Sequence, residues 1–389
     1  MSLQFLRFFA FALMSLLGST FALQAQAETT MVPRAPEIAA KSYVLMDAQS
    51  GQIIVEHNAD KRLPPASLTK LMTAYITEEE LQKGNISEKD MVPISVHAWK
   101  MGGSRMFVRE GTKVPLGQLL KGIVVQSGND ATVAMAEYIA GSEDAFADLM
   151  NQHARRLGMK NTHYMNATGW PTDDHYSTAH DLAILARAII RTYPEHYKTY
   201  SIKEFTYNGI TQQNRNLLLW RDPSVDGLKT GHTEAAGYCL VSSAKKDGMR
   251  LIAVVMGTDS TNARARESQK LLTYGFRFYE TYKAYSAGDV LDTDRVWMGN
   301  KDQLRLGLAD DLVLTIPRDS HKDLKANITV QPQLQAPIEQ GKAYGKLTIK
   351  MHDKVLVEKP LIALESIDEA GWFSRLWDHI LLFFKGLLG

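Results

Sequence analysis

The alternation of apolar and polar positions predicts two strands and then a helix near the beginning of the chain. Ser42–Asp47 and Ile53–His57 are apolar, strand-forming runs, and the polar residues between them suit a hairpin turn. After two consecutive prolines, apolar side chains recur with helical spacing at Leu68, Leu71, Met72, Tyr75 and Ile76. We therefore predict a helix that starts near Ser67 and ends near Gly84.

The centre of the chain has a helical pattern. Residues 85–114 are predicted as a loop, whereas the segment from Pro115 to Ala188 predicts a series of helices. Ser142 is predicted to cap one of these helices, and Thr178 is predicted to start another, because a hydroxyl can accept hydrogen bonds from the free N–H groups of a first turn.

Strand signals return after the helices. Val225–Lys229 predicts one strand, and Tyr238–Ala244 with Arg250–Gly257 predicts a hairpin. A long helix is predicted from Asn262 to about Tyr282. Strands at both ends with helices between them indicate an α+β fold, in which an antiparallel sheet is flanked by helices and carries an inserted all-helical subdomain.

Near Tyr285 the pattern changes to short alternating runs that are separated by turn residues. Residues 285–367 therefore predict a small all-β domain, a sandwich. Its predicted strands are Val296–Met298, Leu312–Ile316, Ala326–Val330, Tyr344–Met351, Val355–Val357 and Leu361–Leu364.

The end of the chain predicts an amphipathic helix. Residues 369–389 place tryptophan, phenylalanine, leucine and isoleucine on one broad face and polar side chains mostly on the other. Charges interrupt the segment too closely for a helix that spans a membrane. The pattern favours an anchor that lies on a membrane surface; packing against this protein or a dimer partner is the alternative.

The beginning of the chain predicts export. Residues 1–27 contain one charge, Arg7, followed by an apolar run and the ending Ala25-Gln26-Ala27, which is typical of a cleaved secretory signal. An uncleaved membrane helix is the alternative. We divide the chain into a signal peptide at 1–27, a catalytic α+β domain at 28–284, a β domain at 285–367 and the terminal helix at 368–389.

Composition excludes some classes of function. The net charge is +1 and 45% of the residues are apolar, so the chain lacks the basic surface of a nucleic-acid binder. The single cysteine, Cys239, cannot form an intramolecular disulfide. The histidines show no metal-ligand spacing, and neither a metal nor a cofactor is predicted.

Three short motifs carry candidate chemistry. Ser67 and Lys70 share a face of the predicted helix, so the lysine amine would lie one turn from the serine hydroxyl and could take its proton. Ser127-Gly128-Asn129 follows in a loop of the helical subdomain, and Lys229-Thr230-Gly231 ends a predicted strand. Such a set occurs in serine enzymes that react with β-lactams.

The motifs and their surroundings resemble the low-molecular-mass D-alanyl-D-alanine carboxypeptidases, a family of penicillin-binding proteins. The likeness is specific in Gln126–Ala131 and Asp226–His232 and extends over essentially the whole chain. It implies a β-lactamase/transpeptidase-like fold. It further implies that the protein is exported and lies on the periplasmic face of the cytoplasmic membrane, held there by the terminal amphipathic helix. It also implies removal of the terminal D-alanine from the pentapeptide stem of peptidoglycan, with β-lactam antibiotics as covalent inhibitors.

The resemblance assigns catalysis to four residues. Ser67 would attack the carbonyl carbon of the penultimate D-alanine, and Lys70 would serve as its base. Lys70 must be neutral to act, and a second cation close by, Lys229, would favour the neutral form. Ser127 would pass a proton to the leaving amine, and Asn129 would orient Lys70 and the substrate amide.

The resemblance assigns substrate binding to Lys229, Thr230, Gly231, His232 and Arg215. Lys229 and Thr230 would face the free carboxylate of the substrate, and Arg215 matches an arginine that the family places near this pocket. Backbone N–H groups of Ser67 and His232 would form the oxyanion hole.

Three other functions stay open at the level of sequence. A β-lactamase would need a dedicated base for rapid hydrolysis of its acyl-enzyme, and residues 161–178 contain Asp173 and Asp174 but no glutamate. An endopeptidase that cuts peptide cross-links would share the active site. A non-catalytic peptidoglycan-binding protein would keep the fold, although the intact motifs argue against it.

Overall fold

The computed structural model of the protein describes residues 32–388. The predicted signal peptide, residues 1–27, lies outside the described residues. The helices are α1 (Lys70–Lys83), α2 (Val96–Lys100), α3 (Leu116–Lys121), α4 (Asn129–Ala140), α5 (Glu143–Leu157), α6 (Ala179–Thr192), α7 (Pro194–Tyr197), α8 (Leu218–Arg221), α9 (Thr261–Phe278) and α10 (Trp372–Leu388).

The strands alternate with these helices and dominate the last third of the chain. They are β1 (Ser42–Asp47), β2 (Ile53–His57), β3 (Met91–Pro93), β4 (Lys113–Pro115), β5 (Glu204–Tyr207), β6 (Ile210–Gln213), β7 (Val225–Thr233), β8 (Gly237–Lys246), β9 (Met249–Thr258), β10 (Tyr279–Tyr285), β11 (Asp292–Trp297), β12 (Gln303–Gly307), β13 (Leu312–Pro317), β14 (Leu324–Val330), β15 (Leu334–Gln335), β16 (Ala343–Met351) and β17 (Lys354–Ala363).

The main sheet joins early and late strands in the order β2-β1-β9-β8-β7, and every neighbouring pair is antiparallel. Val44 of β1 pairs with Val254 of β9, which fixes the register between the two ends of the α+β domain. Most of β9 is buried, and both α6 and α9 contact it. The predicted antiparallel sheet with flanking helices is therefore confirmed.

The inserted helices pack into one core with the sheet. The Ser142 hydroxyl accepts from the backbone N–H of Ala145 and the Thr178 hydroxyl accepts from that of Asp181, so the predicted cap at Ser142 and the predicted helix start at Thr178 are confirmed. Phe146 of α5 and Leu182 of α6 are fully buried in this core. Each amphipathic helix thus buries its apolar face in the shared core, as the helical spacing of its apolar residues predicts.

The predicted loop at residues 85–114 is wrong in part. Met91–Pro93 pairs with Lys113–Pro115 as a short antiparallel ladder, and Val96–Lys100 forms a short helix that Ser95 caps. Elements of three to five residues are too short to produce a detectable period, so tertiary contacts decide their structure.

The predicted end of the long helix is also wrong. Helix α9 stops at Phe278, and Tyr279–Tyr285 is a strand that pairs with β13. Three tyrosines and a threonine, residue types that are common in strands, favour a strand in this segment. The apolar spacing alone did not separate this short strand from the last turn of a helix.

The β domain has two sheets around a shared core. The larger sheet has the order β14-β16-β17-β12-β11-β15, and β10 pairs with β13 in the smaller one. Leu314 of the smaller sheet and Leu347 of the larger sheet belong to the same buried cluster, which confirms the predicted all-β sandwich. Strand β12 was not predicted from the sequence.

A buried carboxylate ties the β domain to the α+β domain. Asp47, at the end of β1, accepts hydrogen bonds from Thr281 Oγ1 at 2.6 Å and from Thr315 Oγ1 at 2.8 Å. Ser50 and Thr315 also share a hydrogen bond, 2.6 Å between their hydroxyl oxygens. Because Asp47 is fully buried, this carboxylate depends on these donors for its stability.

The terminal helix α10 is attached to the β domain through its polar side. Asp378 Oδ2 accepts from the backbone N–H of Met298 at 2.6 Å, and Asp378 Oδ1 lies 3.5 Å from Arg295 Nη2. Large apolar side chains of the helix are exposed: Trp372, Phe373, Leu376, Trp377, Ile380, Leu381, Phe383 and Phe384. Between residues 32 and 388, the structure contains no helix with the length and apolar content needed to cross a membrane.

Candidate active site

A cleft of about 690 Å³ opens beside the start of α1. Ala66–Thr69 forms one 3-10 turn before α1 begins at Lys70, so the predicted helix starts with a tighter turn. Ser67 is half-buried and lines the cleft, whereas Leu68 and Thr69 point into the protein. The turn thus presents the serine hydroxyl to the cleft.

Lys70 lies beside Ser67, as the sequence predicted, and the fold buries it. Its Nζ donates to Ser67 Oγ at 3.0 Å, to Asn129 Oδ1 at 2.7 Å and to the backbone oxygen of Thr168 at 2.6 Å. The amide and carbonyl oxygens can only accept, while the hydroxyl can also donate. A neutral Lys70 would therefore give its two hydrogens to Asn129 and Thr168 and keep its lone pair for the Ser67 proton.

The surroundings of Lys70 favour that neutral form. Burial is the main cause that lowers its pKa to about 7, and the positive charge of Arg215 lowers it further, while Glu143 and Asp130 act in the opposite direction. The sequence predicted that Lys229 would favour the neutral form, whereas burial and Arg215 are the main causes. Burial also lowers the pKa of Lys229, well below its ordinary value, and the charge of Lys70 adds to that decrease.

The second motif lies on the turn between a π-helical segment, Gly122–Gln126, and α4. Ser127 has a left-handed backbone, with φ of 62°, and its buried hydroxyl has no hydrogen-bond partner within residues 32–388. Asn129 joins two elements, since its Oδ1 accepts from Lys70 and its Nδ2 donates to the backbone oxygen of Gly102 at 2.8 Å. Ser127 and Asn129 both line the cleft.

Asp130 organises a cleft wall that the motif search missed. Its carboxylate accepts from the backbone N–H groups of Met106, Phe107 and Val108 at 2.8, 2.8 and 3.1 Å. Asp130 is fully buried, and the preceding residues of the same loop line the cleft. A carboxylate next to Asn129 is visible in the sequence, but its long-range partners are not.

The third motif lies on β7, directly against the Ser67 turn. A Cβ at Gly231 would meet the backbone oxygen of Pro65 at 3.0 Å, so a side chain at this position would require the strand or the Ser67 turn to shift. Thr230, Gly231 and His232 line the cleft. Lys229 is 3% exposed, and its Nζ donates to the backbone oxygen of Thr230 at 3.1 Å.

Two arginines complete the basic side of the cleft. Arg215 donates to Ser104 Oγ at 2.7 Å, and Arg264 donates to the backbone oxygens of Gly231 at 3.1 Å and Arg215 at 3.4 Å. Burial lowers the pKa of Arg264 to about 10, and the charge of Arg215 contributes to that decrease. Both guanidinium groups line the cleft and lack a carboxylate partner within residues 32–388, so they can accept an anionic ligand.

The remaining wall is a segment that motif reasoning did not identify. Asn166 Oδ1 accepts from the backbone N–H groups of Thr168, Gly169 and Trp170 and thereby folds the segment into a tight turn. This turn delivers the Thr168 oxygen to Lys70 and places the half-exposed Trp170 ring at the cleft. In the part of the chain that the structure describes, no group of three or more histidine, cysteine, aspartate or glutamate side chains could hold a metal ion.

Comparisons with known proteins agree with this architecture. A family model described as D-alanyl-D-alanine carboxypeptidase matches residues 29–260, and a model of the penicillin-binding protein 5 C-terminal domain matches residues 279–369. D-alanyl-D-alanine carboxypeptidase DacA of Escherichia coli K12 is 45% identical over 368 residues, which are 92% of this chain and 91% of that protein. DacC of the same strain is 43% identical over 363 residues, 91% of each chain.

Solved structures of penicillin-binding proteins are also similar to this chain. Penicillin-binding protein 5 from Haemophilus influenzae superposes with a TM-score of 0.85 at 42% identity, covering 87% of this chain and all of that one (100%). Penicillin-binding protein 6B from Escherichia coli superposes with a TM-score of 0.72 at 39% identity, covering 85% and 98%. The fold is that of a penicillin-binding serine hydrolase. The chain belongs to the D-alanyl-D-alanine carboxypeptidase family.

Proposed function

We propose that the protein removes the terminal D-alanine from peptidoglycan pentapeptide stems through an acyl-enzyme on Ser67. The observation that carries this proposal is the 3.0 Å contact between Lys70 Nζ and Ser67 Oγ, made by a buried lysine whose pKa is lowered to about 7. At neutral pH about half of such a lysine is in the form that accepts a proton.

In the acylation step, Ser67 Oγ attacks the carbonyl carbon of the penultimate D-alanine while its proton moves to Lys70 Nζ. The oxygen of that carbonyl becomes negatively charged, and the backbone N–H groups of Ser67 and His232 are the proposed donors that stabilise it. Close packing of Gly231 on the Pro65 carbonyl brings β7 next to the Ser67 turn, which supports this pairing of donors.

Collapse of the tetrahedral intermediate breaks the C–N bond and releases D-alanine. The leaving nitrogen needs a proton, and the unpartnered hydroxyl of Ser127 is the group that we assign to deliver it. Water then hydrolyses the ester that links the acyl group to Ser67 Oγ, which frees the serine and releases the shortened peptide. Lys70 lies 3.0 Å from this oxygen, and we assign it as base in this half-reaction as well.

The basic wall supports a substrate with a free terminal carboxylate. Thr230, Arg215 and Arg264 line the cleft, and the buried Lys229 adds a titratable amine next to Thr230. A carboxylate can accept from a hydroxyl and a guanidinium together, which makes a strong charge-assisted contact. This wall favours an exopeptidase, whose substrate ends in a free carboxylate, over an endopeptidase, whose substrate continues past the scissile bond.

A β-lactamase is the weaker alternative. Glu234 is the only carboxylate among the described residues that line the cleft; it lies on the turn between β7 and β8 and makes no hydrogen bond with Ser67 or Lys70. Asp173 and Asp174 are absent from the lining. The described cleft therefore offers no carboxylate base beside the Ser67 ester, and a long-lived penicillin adduct is expected.

The proposed location is the periplasmic face of the cytoplasmic membrane. Residues 1–27 have the pattern of a signal peptide, and α10 exposes its apolar face while its polar side holds the β domain. This arrangement supports an anchor on the membrane surface. We retain the division into residues 1–27, 28–284, 285–367 and 368–389 as part of this proposal, with β10 as the strand that leads into the β domain.

The test is D-alanine release from a muramyl pentapeptide by the full chain. We expect near-total loss in Ser67→Ala and in Lys229→Ala, and unchanged release in the controls Ser286→Ala and Lys113→Ala, whose side chains lie outside the cleft. Labelling with a fluorescent penicillin should be lost in Ser67→Ala. Release retained by Ser67→Ala would overturn the mechanism, and rapid turnover of penicillin would favour the β-lactamase.

A further inference from the structure

A second cavity lies where the α+β domain meets the β domain. This cavity, the junction groove, has a volume of about 1210 Å³ and shares no lining residue with the catalytic cleft. Its walls come from the turn between β1 and β2, the end of α6, the β8–β9 hairpin, and the strands β10, β13 and β17. Neither domain alone forms it.

The junction groove is far from the cleft along the main sheet. Tyr238, near the beginning of β8, lines the cleft, and Lys245, near the end of the same strand, lines the groove. Seven residues of extended chain span about 24 Å. A ligand in the groove would therefore be separate from the peptide that reacts with Ser67.

The groove carries an excess of positive charge. The lining includes the cations Arg187, Arg191, Lys245, Arg250, Lys283 and Lys359, against the carboxylates Asp310 and Asp311. Arg250 is paired with Asp226, and Lys283 is paired with Asp311 at 2.8 Å. Within residues 32–388, Arg191, Lys245 and Lys359 make no side-chain hydrogen bond and no ion pair, and all three are exposed.

Two pairs of like charges face this groove at close range. Arg187 and Arg191 are four residues apart on α6, and the charge of Arg191 contributes to lowering the pKa of Arg187, although burial is the larger cause. Lys245 lies directly opposite Arg250 in the β8–β9 ladder. Like charges four residues apart on a helix cost stability, and an anion beside Arg191 would reduce that cost. Arg250 is already compensated by Asp226, so Lys245 is the cation of the ladder pair that can bind a ligand.

The shape and remaining lining indicate which anion fits. Partly exposed apolar side chains of Ile190, Val313 and Leu356 line the groove together with the cations, which suits a peptide that carries both methyl groups and carboxylates. A concave groove between two domains excludes the flat surface of a bilayer but admits a flexible peptide. We propose that the junction groove binds the carboxylates of a second peptidoglycan stem peptide, next to the stem that is cut.

This inference rests on the proposed function, because it takes peptidoglycan as the substrate polymer. It predicts that Arg191, Lys245 and Lys359 hold the polymer without taking part in the reaction. The cleft alone would then suffice for a soluble, single-stem substrate, whereas polymeric peptidoglycan would use both sites.

The experiment compares two full-length triple variants with the same loss of charge. The groove variant is Arg191→Gln, Lys245→Gln and Lys359→Gln. The control variant is Arg155→Gln, Lys113→Gln and Lys160→Gln, which changes exposed side chains without hydrogen-bond or ion-pair partners in the described chain and outside the groove. Binding to lipid-free peptidoglycan sacculi is measured by co-sedimentation in a Ser67→Ala background, so that no turnover intervenes.

The groove variant should bind sacculi about tenfold more weakly than the control variant, since each exposed ion pair contributes modestly. The difference should shrink in high salt and disappear when the sacculus carboxylates are amidated. With Ser67 restored, both variants should release D-alanine equally from the soluble pentapeptide. Equal binding of sacculi by the two variants would overturn the proposal.

A loss of binding to anionic phospholipid vesicles, with binding to sacculi unchanged, would also overturn it and would assign the groove to the membrane surface. Failure of the groove proposal can be distinguished from failure of the proposed function. If the unsubstituted chain released no D-alanine from the soluble pentapeptide, the function would be wrong, while the binding assay in the Ser67→Ala background would still decide whether the groove holds peptidoglycan.

Discussion

Lys70 Nζ lies 2.7 Å from Asn129 Oδ1, so the lysine of the first motif is held by the amide of the second. The same asparagine donates from Nδ2 to the Gly102 oxygen, and Arg215 donates to Ser104 Oγ in that loop. The amide therefore couples the proposed base to the loop that forms one wall of the cleft. An amide has no negative charge, so this contact stabilises the charged form of Lys70 much less than a carboxylate would.

Replacing this amide by a carboxylate should inactivate the base near neutral pH. In Asn129→Asp a negative charge 2.7 Å from Lys70 Nζ favours the ammonium and raises the pKa of Lys70. We expect acylation by a fluorescent penicillin to fall by about 100-fold at pH 7 and to recover in part at higher pH. Asn327→Asp, on an exposed strand of the β domain, adds the same charge and should leave labelling unchanged.

The rate of acylation should depend on the neutral form of Lys70. Its pKa is lowered to about 7, so the second-order rate constant for penicillin should rise with pH up to about 7 and level off above it. Below pH 7 we expect a decrease of about tenfold per pH unit. Stopped-flow measurements between about pH 5 and 9 check this, and a rate that is constant across this range would exclude Lys70 as the base.

The same lowered pKa has a consequence for stability. In the unfolded chain Lys70 titrates near its ordinary value, so between about pH 7 and 10 the unfolded state binds more protons than the folded state. The Lys70 contribution therefore makes the free energy of unfolding rise with pH across this window. In Lys70→Met this rise should be smaller in urea titrations; an identical pH dependence would contradict the burial of a neutral amine.

Gly169 should be the least replaceable of the left-handed glycines near the site. A Cβ there would lie 1.8 Å from the Ala66 oxygen, whereas a Cβ at Gly141, with a similar φ of +84°, meets no atom within 4 Å. Gly141→Ala should cost about 1–2 kcal/mol of unfolding free energy from backbone strain alone. Gly169→Ala should cost clearly more and abolish penicillin labelling, because the Ser67 turn must move.

The Asp47 carboxylate should determine how the two domains unfold together. Asp47→Asn replaces one acceptor of the Thr281 and Thr315 hydroxyls, and we expect a loss of roughly 1–3 kcal/mol. Differential scanning calorimetry should then resolve two transitions where the unsubstituted chain gives one. Asp353→Asn, on an exposed hairpin of the β domain, is the control. Identical melting curves for the two variants would contradict the proposed coupling of the domains through Asp47.

The exposed face of α10 should bind membranes. The double variant Trp377→Glu and Leu381→Glu adds two charges to the apolar face, while Ser374→Glu and His379→Glu add the same charges to other exposed positions. Losing two large apolar contacts should weaken vesicle binding by at least about 100-fold in the first variant. Equal vesicle binding by both variants would show that the helix packs on protein instead.

Local features of the site could be predicted from the sequence. Ser67 and Lys70 are three residues apart, so helical geometry alone brings them to one face, and the structure has the contact at 3.0 Å. The caps at Ser142 and Thr178 follow from equally local hydrogen bonds. The family resemblance identified the motifs at Ser127–Asn129 and Lys229–Gly231 from their residue types, but it gave no distances from these residues to Ser67 or Lys70.

Contacts between distant segments were decided only by the tertiary structure. Asn129 and Thr168 are 59 and 98 residues from Lys70, yet both hold its amine. The lowered pKa of Lys70 comes first from burial, which depends on the whole core. The end of α9 at Phe278 likewise depends on the pairing of β10 with β13.

The sequence by itself determined the short-range geometry and the chemical groups, because the backbone fixes the spacing of residues within one or two turns. The tertiary structure decided which groups meet, how far each is buried and which charges stay unpaired. Burial and long-range pairing depend on how all elements pack around the shared core, and no local pattern contains that information. The junction groove is the clearest case, since its basic residues are scattered from Arg187 to Lys359 and meet only in the folded chain.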